Sequence, residues 1–162
     1  MSEIVLFRID ERLIHGQVVT AWVGHTKARQ ILVIDDKAAN DSLMSSILKM
    51  AAPPGITVNV VTVEAGIALL AQSAVSGNLI VIVKNPVEAK RVLTAKLDNL
   101  PAEINMGNAG MAPGRVKLSP SVYLDAEGVA ALKDIAASGR VVYLQTIPAD
   151  KRIRWEEIKG IE

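Results

Sequence analysis

The stretch Leu79-Ile80-Val81-Ile82-Val83, stopped by Lys84-Asn85-Pro86, predicts a buried β-strand. Its consecutive apolar residues, four of them β-branched, are typical of a parallel strand that is covered on both faces. Residues 4–7 and 30–34 have the same apolar character. The longer stretches between such strands have helical spacing, and Pro86 is well placed as the first residue of a helix.

The same reasoning extends over the rest of the chain. Further strands are predicted at residues 56–62, 103–106, 122–124 and 141–146. Helices are predicted at residues 17–23, 40–50, 65–74, 87–97 and 126–137, with a short one near 155–158. This alternation predicts an α/β fold, with a single-domain, open, mostly parallel β-sheet and helices on both faces. Because no repeat or long linker divides the chain, we expect one domain over residues 1–162.

Composition excludes several classes of protein. The sequence has 18 basic and 17 acidic residues, which is not the basic surface of a nucleic-acid binder. It has no cysteine, which excludes disulfides, thiolate metal sites and a cysteine nucleophile, and its two histidines argue against a histidine-rich metal site. The apolar runs are strand-sized and the N-terminus lacks a signal-peptide pattern. We therefore expect a soluble cytoplasmic protein that reaches the inner face of the membrane only through partners.

The segment that follows the first strand has an unusual composition for a connecting loop. It reads Arg8-Ile9-Asp10-Glu11-Arg12-Leu13-Ile14-His15-Gly16-Gln17 and leads directly into the first predicted helix. The N-terminus of a helix favours an anion, and the planar fork of arginine suits phosphate oxygens. In open α/β sheets, ligands bind beyond the carboxyl ends of the strands. The segment therefore predicts an anion site at that edge of the sheet.

His15 adds a nucleophile to this predicted anion site. A neutral imidazole nitrogen can accept a phosphoryl group near physiological pH. We expect Asp10 to hold the second ring nitrogen of His15 and to fix its tautomer. The groups expected around the phosphate are Arg8, Arg12 and the backbone N–H groups of Gly16 and Gln17.

Physical reasoning from the residues leaves other functions open. A histidine in a loop is more often structural than catalytic, and arginines beside acids often form surface ion pairs of little energy. The helix end and the glycine-rich loop 107–114 also fit a phosphate- or nucleotide-binding regulatory module without chemistry at His15. That loop has neither Walker nor Rossmann spacing, which argues against ATP. A purely structural subunit of a transporter is a third alternative.

Residues 8–22 read Arg-Ile-Asp-Glu-Arg-Leu-Ile-His-Gly-Gln-Val-Val-Thr-Ala-Trp. This stretch resembles the signature of the enzyme IIB component of the mannose/fructose/sorbose family of the bacterial phosphoenolpyruvate-dependent sugar phosphotransferase system (PTS). Residues 51–55, 104–108 and 147–150 resemble further segments of that family. The resemblance extends over nearly the whole chain, but it does not choose among mannose, fructose, sorbose and N-acetylgalactosamine.

The resemblance implies a phosphoryl carrier, a protein-phosphohistidine–sugar phosphotransferase. His15 would accept the phosphoryl group, on Nδ1, from a IIA phosphohistidine and donate it to a sugar held by the membrane IIC and IID components. The resemblance implies no metal and no nucleotide cofactor at this step. It assigns the supporting arginines of the family to Arg8 and Arg12, and its aspartate, glycine and glutamine to Asp10, Gly16 and Gln17.

Residues outside this segment receive separate interpretations. Lys84 ends a strand that, in the strand order implied by the resemblance, lies beside the first strand, so we expect it to reach the phosphate or the IIA surface. The loop 107–114 is expected to flank the His15 segment and shape a docking face. His25 is expected in the last turn of the first helix, where positive charge suits the helix end. Asp35 and Asp36 are interpreted as solvated acids at a strand end rather than as metal ligands.

Overall fold

The structure is a computed structural model, and it describes residues 2–72 and 77–159. The strands are β1 (Ser2–Asp10), β2 (Gln30–Ile34), β3 (Thr57–Val61), β4 (Gly77–Val83), β5 (Glu103–Asn108), β6 (Val116–Ser119), β7 (Val122–Leu124), β8 (Val141–Leu144) and β9 (Ile153–Arg154). The helices are α1 (Gly16–Thr26), α2 (Asp36–Ala39), α3 (Ser42–Ala51), α4 (Val63–Ala71), α5 (Pro86–Leu93) and α6 (Ala126–Ala137), followed by a 3-10 helix at Trp155–Glu157.

Seven strands form one sheet in the order β3-β2-β4-β1-β5-β8-β9. All neighbours in this sheet are parallel except β8 and β9, while β6 and β7 form a separate antiparallel pair. The central strand β1 has β4 on one side and β5 on the other, so Ile9 lies opposite both Val83 and Met106. The predicted open, mostly parallel α/β sheet is confirmed, and β4 lies beside β1 as expected.

The sheet is covered on both faces, as the apolar strands predict. On one face, Leu6, Ile31 and Ile80 pack with residues of α1 and α3, including Val19 and Trp22. The other face packs against α4, α5 and α6, and its core includes Phe7, Leu32, Val81, Ile104 and Leu132. None of the helices within 2–72 and 77–159 has the length and apolar character needed to cross a bilayer.

Three short elements were not predicted from the sequence, namely α2, β6 and β9. None exceeds four residues, and β6 carries Lys117 and Ser119, so hydrophobic periodicity gives little signal for them. Helix α5 ends at Leu93 instead of near residue 97, and β5 continues to Asn108. The end predicted for the helix at residues 65–74 lies outside the described residues.

The interpretation of Asp35 as a solvated acid was wrong. Its side chain is buried, and its Oδ2 accepts a hydrogen bond of 2.9 Å from the backbone N–H of Ala38, which caps α2. Asp36 is about half exposed and joins two other elements, since it accepts hydrogen bonds from the backbone N–H of Val63 and from Arg91. The Val63 N–H lowers the pKa of Asp36. Both acids therefore organise the carboxyl end of β2.

Candidate functional site

His15 is the N-cap residue of α1 and lies directly beyond the carboxyl end of β1. Its backbone is extended, and its carbonyl accepts the hydrogen bond from Val19 N, 3.2 Å away. Within the described residues its side chain makes no capping hydrogen bond, and the first turn of α1 contains no acidic residue. His15, Gly16 and Gln17 are all exposed. An exposed imidazole therefore stands beside helix N–H groups that favour an anion.

Two buried side chains hold the His15 loop against the core. Leu13 and Ile14 are 4% and 5% exposed and pack on the α1 and α3 side of the sheet. Leu13 has a φ of 59°, which is uncommon for a residue with a branched side chain, and its N–H bonds to the carbonyl of Asp10 at 2.9 Å. Burial of the Leu13 side chain offsets the free-energy cost of this backbone conformation. The turn at residues 10–13 and the buried Leu13 and Ile14 hold the loop on the core, while His15, the next residue, is exposed.

Asp10 is buried beneath the loop, and its carboxylate is occupied by two arginines. Its Oδ2 accepts from Arg8 Nη2 at 3.0 Å and from Arg8 Nε at 3.3 Å. Its Oδ1 accepts from the backbone N–H of Arg12 at 2.9 Å and lies 3.7 Å from Arg12 Nε. The expected hydrogen bond between Asp10 and His15 is not among the contacts of the described residues. Asp10 instead fixes the backbone of the loop that carries His15.

Arg8 is an interior residue, with 1% of its surface exposed. Its Nη1 donates to Asn105 Oδ1 at 2.6 Å and to the Gln145 carbonyl at 3.2 Å, and its guanidinium lies 5.7 Å from the centre of the Trp22 ring. Burial lowers the pKa of Arg8, while the charge of Asp10 acts in the opposite direction. The structure therefore does not bring Arg8 to the surface beside His15, where a phosphate contact was expected.

The partners of Arg8 were missed from the sequence. Asn105 is fully buried within β5, and Gln145, directly after β8, is 8% exposed. The side chain of Asn105 also donates to the Gln145 carbonyl at 3.1 Å. The sequence feature that could have identified them is a polar residue within or directly after an apolar strand. Such a residue is buried with the strand and therefore needs a hydrogen-bond partner in the interior.

Arg12 is the arginine that remains at the surface of the loop. Its side chain is 39% exposed, and its contact with Asp10 uses only Nε. The structure thus separates the two predicted phosphate-binding arginines, with Arg8 beneath the loop and Arg12 on it. Gln17 lies exposed in the first turn of α1.

Lys84 lies at the carboxyl end of β4, beside β1, as the predicted strand order required. It lines a cavity of about 380 Å³ together with Glu11 and Arg115, between the first turns of α5 and α6. The loop after β5 does flank the His15 loop, since Arg115 pairs with Glu11 at 2.7 Å. His25 lies in the last turn of α1, as expected, and its ring meets the Trp22 ring edge-on.

A partly buried carboxyl, that of Glu88, also lines this cavity. Glu88, in the first turn of α5, has a pKa raised to about 8, first by burial and then by the neighbouring Asp35. Its Oε2 is buried and has no hydrogen-bond partner among the described residues. Glu88 therefore holds a proton near neutral pH, because its partial burial and the neighbouring Asp35 carboxyl both disfavour its charged form.

Comparisons with known proteins give the family and the fold of the chain. Residues 4–162 match the family model described as the PTS system sorbose subfamily IIB component. The N-acetylgalactosamine-specific phosphotransferase enzyme IIB component 2 of Escherichia coli is 33% identical, over 94% of this chain and 96% of that protein.

Two solved structures have the same fold. The crystal structure of manxB from Thermoanaerobacter tengcongensis superimposes with a TM-score of 0.87 at 37% identity, covering 97% of this chain and 95% of that one. The IIBSor domain of the sorbose permease from Klebsiella pneumoniae superimposes with a TM-score of 0.86 at 31% identity, covering 93% and 92%.

Proposed function

Because the chain belongs to the sorbose subfamily of PTS IIB components, we propose that it carries a phosphoryl group on His15. In this proposal His15 accepts the group from a IIA phosphohistidine and passes it to a sugar that enters through membrane IIC and IID partners. The observation that carries the proposal is the position of His15. Its exposed imidazole, free of a capping bond, stands at the N-terminus of an eleven-residue helix.

The first step exchanges one phosphorus–nitrogen bond for another. A neutral ring nitrogen of His15 attacks the phosphorus of the donor phosphohistidine, and the bond from phosphorus to the donor imidazole breaks. Exposure of His15 at the surface suits a reaction in which the donor is the side chain of another protein. The transferred group then lies beside the N–H groups of Gly16 and Gln17, which stabilise its negative charge.

The second step transfers the group to the sugar. A sugar hydroxyl attacks the phosphorus, the bond to His15 breaks, and the hydroxyl proton ends on the imidazole nitrogen that is released. The sugar becomes a phosphate ester. His15, which now carries a proton on each ring nitrogen, loses one of them to solvent and returns to its neutral form, ready for another donor. Both steps need phosphate-stabilising groups that do not trap the phosphohistidine.

Different residues fill these supporting roles in our proposal. Arg12, at the surface of the loop, supplies a fork for the phosphate oxygens, and Lys84 adds positive charge from the end of β4. Asp10 and Arg8 act indirectly, since their buried ion pair holds the backbone of Arg12. Arg8 is thus assigned to positioning, and direct phosphate contact is left to Arg12, Gly16, Gln17 and Lys84.

The proposed phosphoryl transfer also implies a location for the protein in the cell. Residues 1–162 would act as one IIB domain in the cytoplasm, held near the inner face of the membrane by the IIC and IID components. The naming of a K. pneumoniae relative as a domain of the sorbose permease supports this association. The transported sugar is chosen by those membrane partners in this scheme.

The decisive experiment is phosphoryl transfer to the purified protein from phosphoenolpyruvate, with the general PTS proteins and a IIA protein present. We expect acid-labile, base-stable phosphate on the wild type and none on His15→Ala. His25→Ala is the matched control and should be labelled like the wild type, because His25 lies at the opposite end of α1. Full labelling of His15→Ala would contradict the proposal. Nucleotide binding without any label would favour the regulatory module instead.

A further inference from the structure

Glu11 joins the His15 loop to the loop that follows β5. Its Oε2 accepts from the backbone N–H of Gly110 at 2.8 Å, and its Oε1 accepts from Arg115 Nη2 at 2.7 Å. Arg115 Nη1 in turn donates to the Gly110 carbonyl at 2.7 Å. The backbone adds a fourth bond, from Glu11 N to the Asn108 carbonyl at 3.0 Å. The three bonds made by Glu11 tie two loops that are about one hundred residues apart in sequence.

The Glu11–Arg115 ion pair is less exposed to solvent than the Lys90–Asp134 ion pair, which has the same length. The side chains of Arg115 and Glu11 are 24% and 33% exposed, while those of Lys90 and Asp134, also 2.7 Å apart, are 48% and 56% exposed. The hydrogen bond from Arg115 lowers the pKa of Glu11, so Glu11 is charged at neutral pH. A charge-assisted, partly buried bond holds geometry better than a solvated surface pair.

The tethered loop, residues 110–115, presents an apolar side chain to solvent. Arg115 N bonds to the Ala112 carbonyl at 3.2 Å, and Gly114 has a φ of 82°, so the loop closes in a tight turn. Met111 directly precedes this turn and is 81% exposed. Methionine is polarizable and flexible, and it adapts to partner surfaces of different shape.

We infer that the Glu11–Arg115 ion pair fixes loop 110–115, with Met111, as part of the surface that receives the phosphoryl donor protein. This inference rests on the proposed function, since a donor protein must dock over His15. Glu11 lies four residues before His15, and the loop bonded to Glu11 is therefore continuous with the face that the donor covers. Met111 supplies apolar contact there, and the ion pair holds Met111 in place before the donor arrives.

The test separates docking from chemistry by measuring KM for the donor protein and kcat for phosphate transfer to His15. Glu11→Gln removes the ion pair but keeps an acceptor for Gly110 N, and Met111→Gln removes the apolar contact. We expect both variants to raise KM roughly three- to tenfold with kcat unchanged. The matched controls are Asp134→Asn, which removes the exposed pair with Lys90, and Met50→Gln on α3, where Met50 is 84% exposed.

A double-mutant cycle with Arg115→Met tests whether the two residues act as one unit. If they do, the double variant has a KM no higher than that of Glu11→Gln alone. Amide hydrogen exchange gives an independent readout, because loss of the pair should speed exchange across residues 110–115.

A KM within twofold of wild type in both Glu11→Gln and Met111→Gln would overturn the inference and leave the proposed function intact. A wild type that accepts no phosphate would overturn both.

Discussion

Gly107 lies directly against the guanidinium group of Arg8. A Cβ atom built on Gly107 would stand 2.1 Å from Arg8 Cζ and 2.3 Å from Nη1, well inside van der Waals contact. Arg8 cannot move aside easily, because it is buried and bonded to Asp10, Asn105 and the Gln145 carbonyl. The glycine on β5 therefore leaves the space in which the buried ion pair beneath the His15 loop forms.

Gly107→Ala should consequently destabilise the protein. The added methyl group forces Arg8 out of its hydrogen bonds, and we expect a loss of about 2–4 kcal/mol in the free energy of unfolding, measured with urea. Gly24→Ala is the control, because a Cβ there meets nothing within 4 Å and lies inside α1. That variant should be unchanged or more stable by up to about 1 kcal/mol. Equal stability of the two variants would contradict this account of Gly107.

Removing the Asn105 side chain should affect both stability and phosphate acceptance. Asn105→Ala leaves Arg8 Nη1 without its closest acceptor in the buried network, so we expect about 1–3 kcal/mol of destabilisation. Phosphate transfer to His15 should slow as well, because Arg8 holds Asp10 and Asp10 holds the loop backbone. Asn40→Ala, which removes an exposed amide, is the control and should change neither property. Normal transfer rates in stable Asn105→Ala protein would exclude Arg8 from positioning.

Arg12→Lys tests whether the planar fork matters beyond its charge. Lysine keeps the positive charge but loses the paired N–H groups that match phosphate oxygens, so we expect transfer to His15 to slow about tenfold. The measurement is the initial rate of labelling from a saturating IIA phosphohistidine. Arg91→Lys, at an exposed pair with Asp36, should leave that rate unchanged. An unaltered rate in Arg12→Lys would remove the fork from the mechanism.

Glu88 should make the stability of the fold depend on pH. Its pKa is about 8 in the folded protein, above the ordinary value for a glutamic acid, so the folded state binds more protons than the unfolded state between about pH 4.5 and 8. Stability therefore falls as pH rises through this window, by about 1 kcal/mol after allowance for partial exposure of the side chain.

Glu88→Gln should remove this dependence, because glutamine stays neutral. Urea unfolding at pH 5 and pH 9 measures it, and the variant should be more stable than wild type at pH 9. Glu64→Gln is the control, since Glu64 is exposed in the first turn of α4. If the free energy of unfolding depends on pH in the same way in the wild type and in Glu88→Gln, Glu88 is not protonated near neutral pH.

Much of the fold followed from local pattern. The apolar strands β1, β2 and β4 and the helix α6 were predicted from periodicity and capping, because burial on both faces leaves a continuous apolar run. Short elements such as α2 were not predicted. This helix has only four residues, too few to show a hydrophobic period, and the acid that caps it, Asp35, is buried. In the site, His15 lies beyond β1 and directly before α1, where the sequence places it, whereas the burial of Arg8 was not predicted.

The α/β class, the family and the loop that carries His15 can be read from contiguous residues, because local pattern and motif encode them. The side of that loop on which each charge lies depends on tertiary contacts. The partners of Arg8, Asn105 and Gln145, lie about one hundred or more residues away in sequence, and so does Arg115, the partner of Glu11. Such contacts depend on strand order and register, which place β5 and β8 on one side of β1, and no local pattern encodes them.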